Sequence, residues 1–308
     1  MKTVIAGGSG LIGRALAENS ARDGHQVIIL SRHPENVIDL PKEVVTVAWD
    51  GRTVGDWATH LEDADAIVNL AGASLSGEGF LPSRWTMPRK QQIRDSRINA
   101  GLALVNALKS ISRKPRLLLQ SSAIGIYGPQ DDTELSEDSL AADDFLASIC
   151  LDWEESTKAV EELGLRRIVI RTGLPLTTKG GAFPLLMLPF KLFLGNTFGD
   201  GRQYYSWIHF HDYIAALRFL LKSPGASGVY NLTAPNPVSN RQFAQTLGRV
   251  MRRPSFFPLP AFALKLALGE VSTVVLDGQR VLPQRLLADG FSFAFPELQL
   301  ALEDLLKK

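Results

Sequence analysis

Gly7, Gly10 and Gly13 stand three residues apart, behind the strand candidate Thr3–Ala6 and at the head of a stretch, Leu11, Ala15 and Leu16, with helical spacing. Each glycine has a physical reason. The first lets a strand turn sharply, the second lets the backbone approach a pyrophosphate, and the third lets the helix pack close to a sheet. The free N–H groups and positive end of the helix then attract the anion. This is the chemistry of dinucleotide binding, and Ser9, Leu11 and Ile12 fall within the same turn.

An acidic residue about 20 positions beyond the last glycine holds the ribose hydroxyls of NAD. Here the segment from Gln26 to Pro34 has no acid, and Ser31 and Arg32 stand in its place. An arginine suits a 2′-phosphate through charge-assisted, bidentate hydrogen bonds, so NADP(H) is the expected cofactor. Ligands of such folds sit at the carboxyl ends of strands. On that rule Asp50 follows the third strand and would reach the adenine, and Leu70, Ala71 and Gly72 follow the fourth. Ser121 follows the fifth, and Thr172 and Gly173 follow the sixth.

The elements that must hold these residues alternate along the first half of the chain. Strands are predicted at Thr3–Ala6, Gln26–Leu30, Val44–Ala48, Ala66–Leu70, Leu117–Gln120 and Arg167–Arg171. Helical spacing lies between them, as in Ile98, Leu102, Val105 and Leu108. Apolar strands without polar alternation, separated by helices, predict an α/β fold with a Rossmann-type doubly wound parallel sheet. After Arg171 loops and prolines dominate, which suits a smaller C-terminal α/β lobe. Residues 1–172, with a return segment at about 204–234, are therefore read as the NADP-binding domain. Residues 173–203 and 235–308 are read as the substrate lobe.

Lys+Arg 33 against Asp+Glu 32 in 308 residues leaves a near-neutral chain of formal net charge +1, too little to drive nucleic-acid or anionic-membrane binding. The lone Cys150 excludes an intrachain disulfide and fits a reducing compartment. Proline and lysine interrupt the most apolar stretches, FPLLMLPFKLFLG and FFPLPAFALKLALG, well short of the roughly 20 residues of a membrane span. These read as buried or lid helices, and the apolar run after Lys2 is too short for a signal peptide. A soluble, cytoplasmic protein acting on a small molecule is expected.

The stretches AGGSGLIG, NLAGASL, SSAIGIYG and SWIHFHDY together resemble the extended short-chain dehydrogenases/reductases, the epimerase/dehydratase superfamily. RWTMPRKQQIRDSR, RTGLPLTTKGGAF, GDGRQYYSWIHFHDY and the tail from RRPSFFPLPAF to GQRVLPQRLLADGF resemble its "epimerase family protein" branch, which carries a C-terminal domain of unknown function. The resemblance spans nearly the whole chain. It implies an oxidoreductase or epimerase acting on a small polar substrate.

Superfamily chemistry uses Tyr-x-x-x-Lys, in which the lysine lowers the tyrosine pKa while the nicotinamide moves a hydride. Four residues beyond Tyr127, Tyr204, Tyr205, Tyr213 and Tyr230 stand Asp131, Ile208, His209, Leu217 and Ala234, so the pair is absent. The catalytic candidates that remain are Ser122, as the polarising serine, and Tyr127 on the loop beyond it. Substrate candidates are Trp85, Arg97, Arg202, Trp207 and His209, with Arg97 placed to grip a carboxylate or phosphate. His209 and His211 lack a third ligand, so no metal is expected. Asp212 is read as the cap of a helix at Tyr213–Leu221, and Cys150 as packing. Two functions stay open: an NADP(H)-dependent enzyme, and a catalytically silent NADPH-binding sensor or partner-binding module.

Overall fold

The computed structural model describes residues 1–308 except 78, 80, 81, 256 and 308. Seven parallel strands form the central sheet: β1 (Lys2–Ala6), β2 (Gln26–Ser31), β3 (Val44–Ala48), β4 (Ala66–Asn69), β5 (Leu117–Ala123), β6 (Arg166–Thr172) and β7 (Gly228–Leu232). Their order is β7-β6-β5-β4-β1-β2-β3, so the winding reverses between β1 and β4. At such a switch point the connections part and leave a crevice at the carboxyl ends of the strands.

The strands are apolar throughout because both faces are covered. Ile5, Ile29, Val68, Leu119 and Ile168 face helices α1 (Leu11–Arg22) and α5 (Phe210–Lys222). Val4, Ile28, Ile67 and Leu118 face α2 (Met87–Ser110) and the short turn of helix Asp56–Leu61. Each such fully buried aliphatic side chain contributes about 1.5–3 kcal/mol. Helix α3 (Phe145–Glu155), capped by Asp144, whose side chain accepts from the Ala147 N–H, packs on α2 and β5.

A smaller C-terminal α/β region packs around its own core, while Leu286 and Phe291 return to the core of the sheet. Helices α4 (Phe183–Lys191), α6 (Asn240–Met251) and Leu298–Leu306 close around Trp207, Leu186, Phe243, Leu247 and Leu302. Two local expectations change. Helix α5 starts at Phe210, because His209 caps it by accepting the His211 N–H on Nδ1 at 3.1 Å. Asp212 instead accepts the Ala294 and Phe295 N–H groups at 3.0 and 2.9 Å, tying α5 to the C-terminal segment. Of the two apolar stretches, α4 is largely buried, whereas α7 (Ala261–Leu268) has no buried residue. No helix among the described residues is long and apolar enough to cross a membrane.

Candidate functional site

A groove of about 580 Å³ runs along the carboxyl ends of β1, β2 and β4. It brings together Gly7, Ser9, Gly10, Ser31, Arg32, Asp50, Leu70, Ala71 and Gly72. Its floor needs glycine. Gly7 has φ +75°, and a Cβ there would stand 2.8 Å from the Leu70 carbonyl carbon; at Gly13 a Cβ would meet the Gly8 Cα at 2.5 Å. The loop therefore lies flush against β4, with the α1 N-terminus facing the groove. A Cβ on Gly10 would meet only the Gly7 oxygen, at 3.4 Å, so this backbone is open to a ligand. These features fit a dinucleotide cradle.

At the far end Arg32 is exposed, and Ser31 is buried, its Oγ accepting the His33 N–H. Arg32 also lines a second hollow of about 540 Å³ walled by Trp49 and Trp57, whose rings meet edge-on at 5.4 Å. Asp50 borders both spaces. Its Oδ1 accepts the Arg52 and Thr53 N–H groups and its Oδ2 the Thr53 hydroxyl, and these bonds, Thr53 foremost, lower its pKa. The carboxylate thus builds a turn at the groove's edge. Leu11 lies against the Gly180 turn, Ile12 packs on the core and Ser121 is buried in β5, so none of their side chains lines the groove.

A second cavity, a cleft of about 450 Å³, opens at the ends of β5 and β6 beneath α3 and the segment from Glu270 to Gln279. Thr172 and Gly173 line this cleft and not the groove. Its walls are Trp85, Phe145, Ile149, Trp153 and Leu186, and its floor is Ala123 and Cys150. Burial pushes the Cys150 thiol up to about 11, so it is neutral at neutral pH. Apolar side chains dominate this space, in contrast to the expected polar substrate site.

Both expected catalytic residues, Ser122 and Tyr127, lie outside the cleft. Side chains alternate along β5, so Ala123 faces the cleft while Ser122 turns away and donates to Glu154 Oε1 at 2.6 Å. Tyr127 is wholly buried; its hydroxyl donates to Asn231 Oδ1 at 2.7 Å and accepts from Arg171 Nη1 at 3.0 Å. Burial raises its pKa further from neutrality. Arg171 and Glu154 pair through two bonds of 3.0 and 3.1 Å, so Ser122 and Tyr127 belong to a buried structural network.

The substrate candidates divide likewise. Trp85 and Arg97 line the cleft. Trp207 is core, its Nε1 donating to the Asn236 carbonyl at 3.0 Å. His209 stacks on Phe295 with ring centroids 4.0 Å apart, and Nε2 lies 3.4 Å from Asp304. Arg202 is exposed on a separate groove, 3.8 Å from Asp200. Trp207 and His209 lie outside the cleft because their strand, Trp207–His209, pairs with Leu174–Leu176 and turns both side chains into the core.

Sequence reading missed the polar face of α2, where Gln92, Asp95, Ser96 and Asn99 line the groove. Their i, i+3, i+4, i+7 spacing was a readable stripe. It also missed Glu270 and Asp277, which reach the cleft from nearly 200 residues beyond Leu75 and carry no local signal.

Residues 3–146 match the NAD dependent epimerase/dehydratase family, and residues 259–305 match a domain of unknown function, DUF1731. The chain is 39% identical over 309 residues to the epimerase family protein YfhF of Bacillus subtilis, covering 99% of this chain and 98% of that protein. The human epimerase family protein SDR39U1, solved with NADPH, aligns with a TM-score of 0.88 at 31% identity over 99% of each chain. A nucleoside-diphosphate sugar epimerase from Corynebacterium glutamicum aligns with a TM-score of 0.76 at 30% identity, over 99% of this chain and 58% of that one.

Proposed function

Because this chain belongs to the epimerase family proteins, within the NAD-dependent epimerase/dehydratase family, we propose that it binds NADP(H) in the groove and is an oxidoreductase or epimerase acting on a small molecule in the apolar cleft. The NADPH bound to the human relative supports this choice of nucleotide, as does Arg32 at the β2 end, where no acid stands from Gln26 to Pro34. Ser9 and Gly10 at the head of α1 would hold the pyrophosphate, and Arg32 the 2′-phosphate. When bound, the nicotinamide supplies hydride exchange at a carbonyl or alcohol carbon.

The chain's own residues exclude water, orient the substrate and hold a proton. Trp85, Phe145, Trp153 and Leu186 form the dry wall. Three carboxyl groups line the cleft among the described residues: Asp144, Glu270 and Asp277. Asp144 is engaged as the cap of α3, and Glu270 is paired with Lys90. Asp277 has neither duty. Burial raises its pKa against the pull of Lys265, and it also borders the outer groove that leads to solvent. We assign its carboxyl as the proton source, replenished from water.

One observation carries the reading: groove and cleft share a thin wall, Gly72 on one side against Arg97 on the other. Gly72 lines the groove, and a Cβ on it would stand 3.1 Å from the Arg97 Cζ, while Arg97 lines the cleft. A molecule in the cleft would therefore lie beside the nucleotide. The test follows NADPH absorbance with a panel of carbonyl metabolites. Turnover that is lost in Asp277→Asn, with NADPH affinity retained, is the expected outcome. The second reading, a silent NADPH sensor, is favoured by the bare floor of Ala123 and Cys150; tight NADPH binding without turnover across the panel would establish it.

A further inference from the structure

Arg97 carries a charge into the interior with no anion to meet it. It is 9% exposed, on the buried face of α2 that also carries Ile93 and Ala100. Nη1 donates to two neutral acceptors, the carbonyl oxygens of Ala73 at 3.1 Å and Ile93 at 2.9 Å. The guanidinium lies 4.8 Å over the Trp153 ring. Nε and Nη2 have no hydrogen-bond partner, and the side chain no ion pair, among the described residues. Burial lowers the pKa only to about 10, so the group stays charged at neutral pH.

Arg171, the other buried guanidinium among the described residues, is matched: Glu154 holds it by two bonds, and the half-buried Lys90, which lies over Phe145, is held by Glu270. A desolvated guanidinium is costly unless an anion compensates it, and its planar fork suits a carboxylate or phosphate. Glycine at position 72 also leaves room for the guanidinium, since a Cβ there would press on its Cζ at 3.1 Å.

We propose that Arg97 is the anion receptor of the cleft, so that the molecule taken there bears a carboxylate or phosphate, with its apolar body against Trp153, Trp85 and Leu186. This rests on the reading of the groove as a nucleotide site. The same chemistry has a second source, the phosphates of the nucleotide across Gly72, and the experiment separates the two.

Calorimetry on the full chain, with NADP⁺ present, compares 3-phenylpropionate and phenyl phosphate with the neutral 3-phenylpropionamide. At least one of the anions is expected to bind about tenfold or more tightly than the amide. Arg97→Gln should bring that preference to about twofold or less and leave NADP⁺ affinity within about twofold, while Arg97→Lys keeps part of it. No anion preference in the unmodified chain, or no binding of any probe, overturns the proposal. So does a tenfold or greater loss of NADP⁺ affinity in Arg97→Gln, which would give Arg97 to the nucleotide. Should Arg97→Gln fail to fold, the unmodified chain and Arg97→Lys still decide. Failure of NADP⁺ to bind the unmodified chain would instead remove the groove reading, and the anion preference measured without nucleotide would still test Arg97.

Discussion

Arg32 and Ser31 show how far single residues can be read. The absence of an acid at the end of β2 was visible in the chain, and both residues line the groove at that end. Arg32→Ala is expected to weaken NADPH binding by about 1.5–3 kcal/mol, the worth of a hydrogen-bonded charge, while changing NADH binding little. Parallel titrations with the two nucleotides check this, and equal weakening would remove Arg32 from the 2′-phosphate. Ser122 and Tyr127 show the limit. Their types matched the chemistry, but a one-residue step along β5 reverses a side chain, and Glu154 and Arg171 claim both hydroxyl groups from elements distant in sequence.

At the scale of elements, the β1–α1 unit was almost wholly legible because its demands are local. Gly13→Ala should cost about 1–3 kcal/mol, because the added methyl meets backbone at 2.5 and 2.8 Å that cannot yield cheaply. Thermal melting and NADPH titration should both register the loss. Gly24→Ala is the control: its φ is +77° but nothing lies within 4 Å, so a modest strain penalty with unchanged NADPH affinity is expected. Helix α2 was legible only in part. Its polar stripe faces the groove and Arg97 faces the cleft, so one helix forms walls of both sites. Helical spacing reveals such faces, but not which cavity each one meets.

At the scale of the whole molecule, His209 joins the two parts of the chain. It caps α5, stacks on Phe295 and approaches Asp304 of the C-terminal helix. Burial lowers its pKa, against the opposing pull of Asp212 and Asp304 and with His211 adding to the fall. The unfolded chain therefore binds a proton near the ordinary value of about 6.5 that the folded chain binds only at lower pH. Stability should be full above about pH 6.5 and fall as the pH drops below it. His209→Asn keeps a capping oxygen and should flatten that slope, leaving the share that belongs to His25, whose pKa burial also lowers. Urea midpoints from pH 5 to 8 check this, and an unchanged slope would clear His209 of the effect.

By itself the sequence determined the sheet and the elements that build the groove: the glycine turn, the apolar strands covered on both faces, and the cation where an acid would otherwise stand. Each follows from backbone sterics or from periodicities a few residues long. Only the tertiary structure decided the cleft. Ala123, Arg97, Trp153 and Asp277 meet there because β5, α2, α3 and the C-terminal segment converge at one sheet edge. Which side of a strand faces that edge, and which charges find partners on the way, depends on packing between different elements, as in Ser122 with Glu154 or Lys90 with Glu270. No local pattern encodes it.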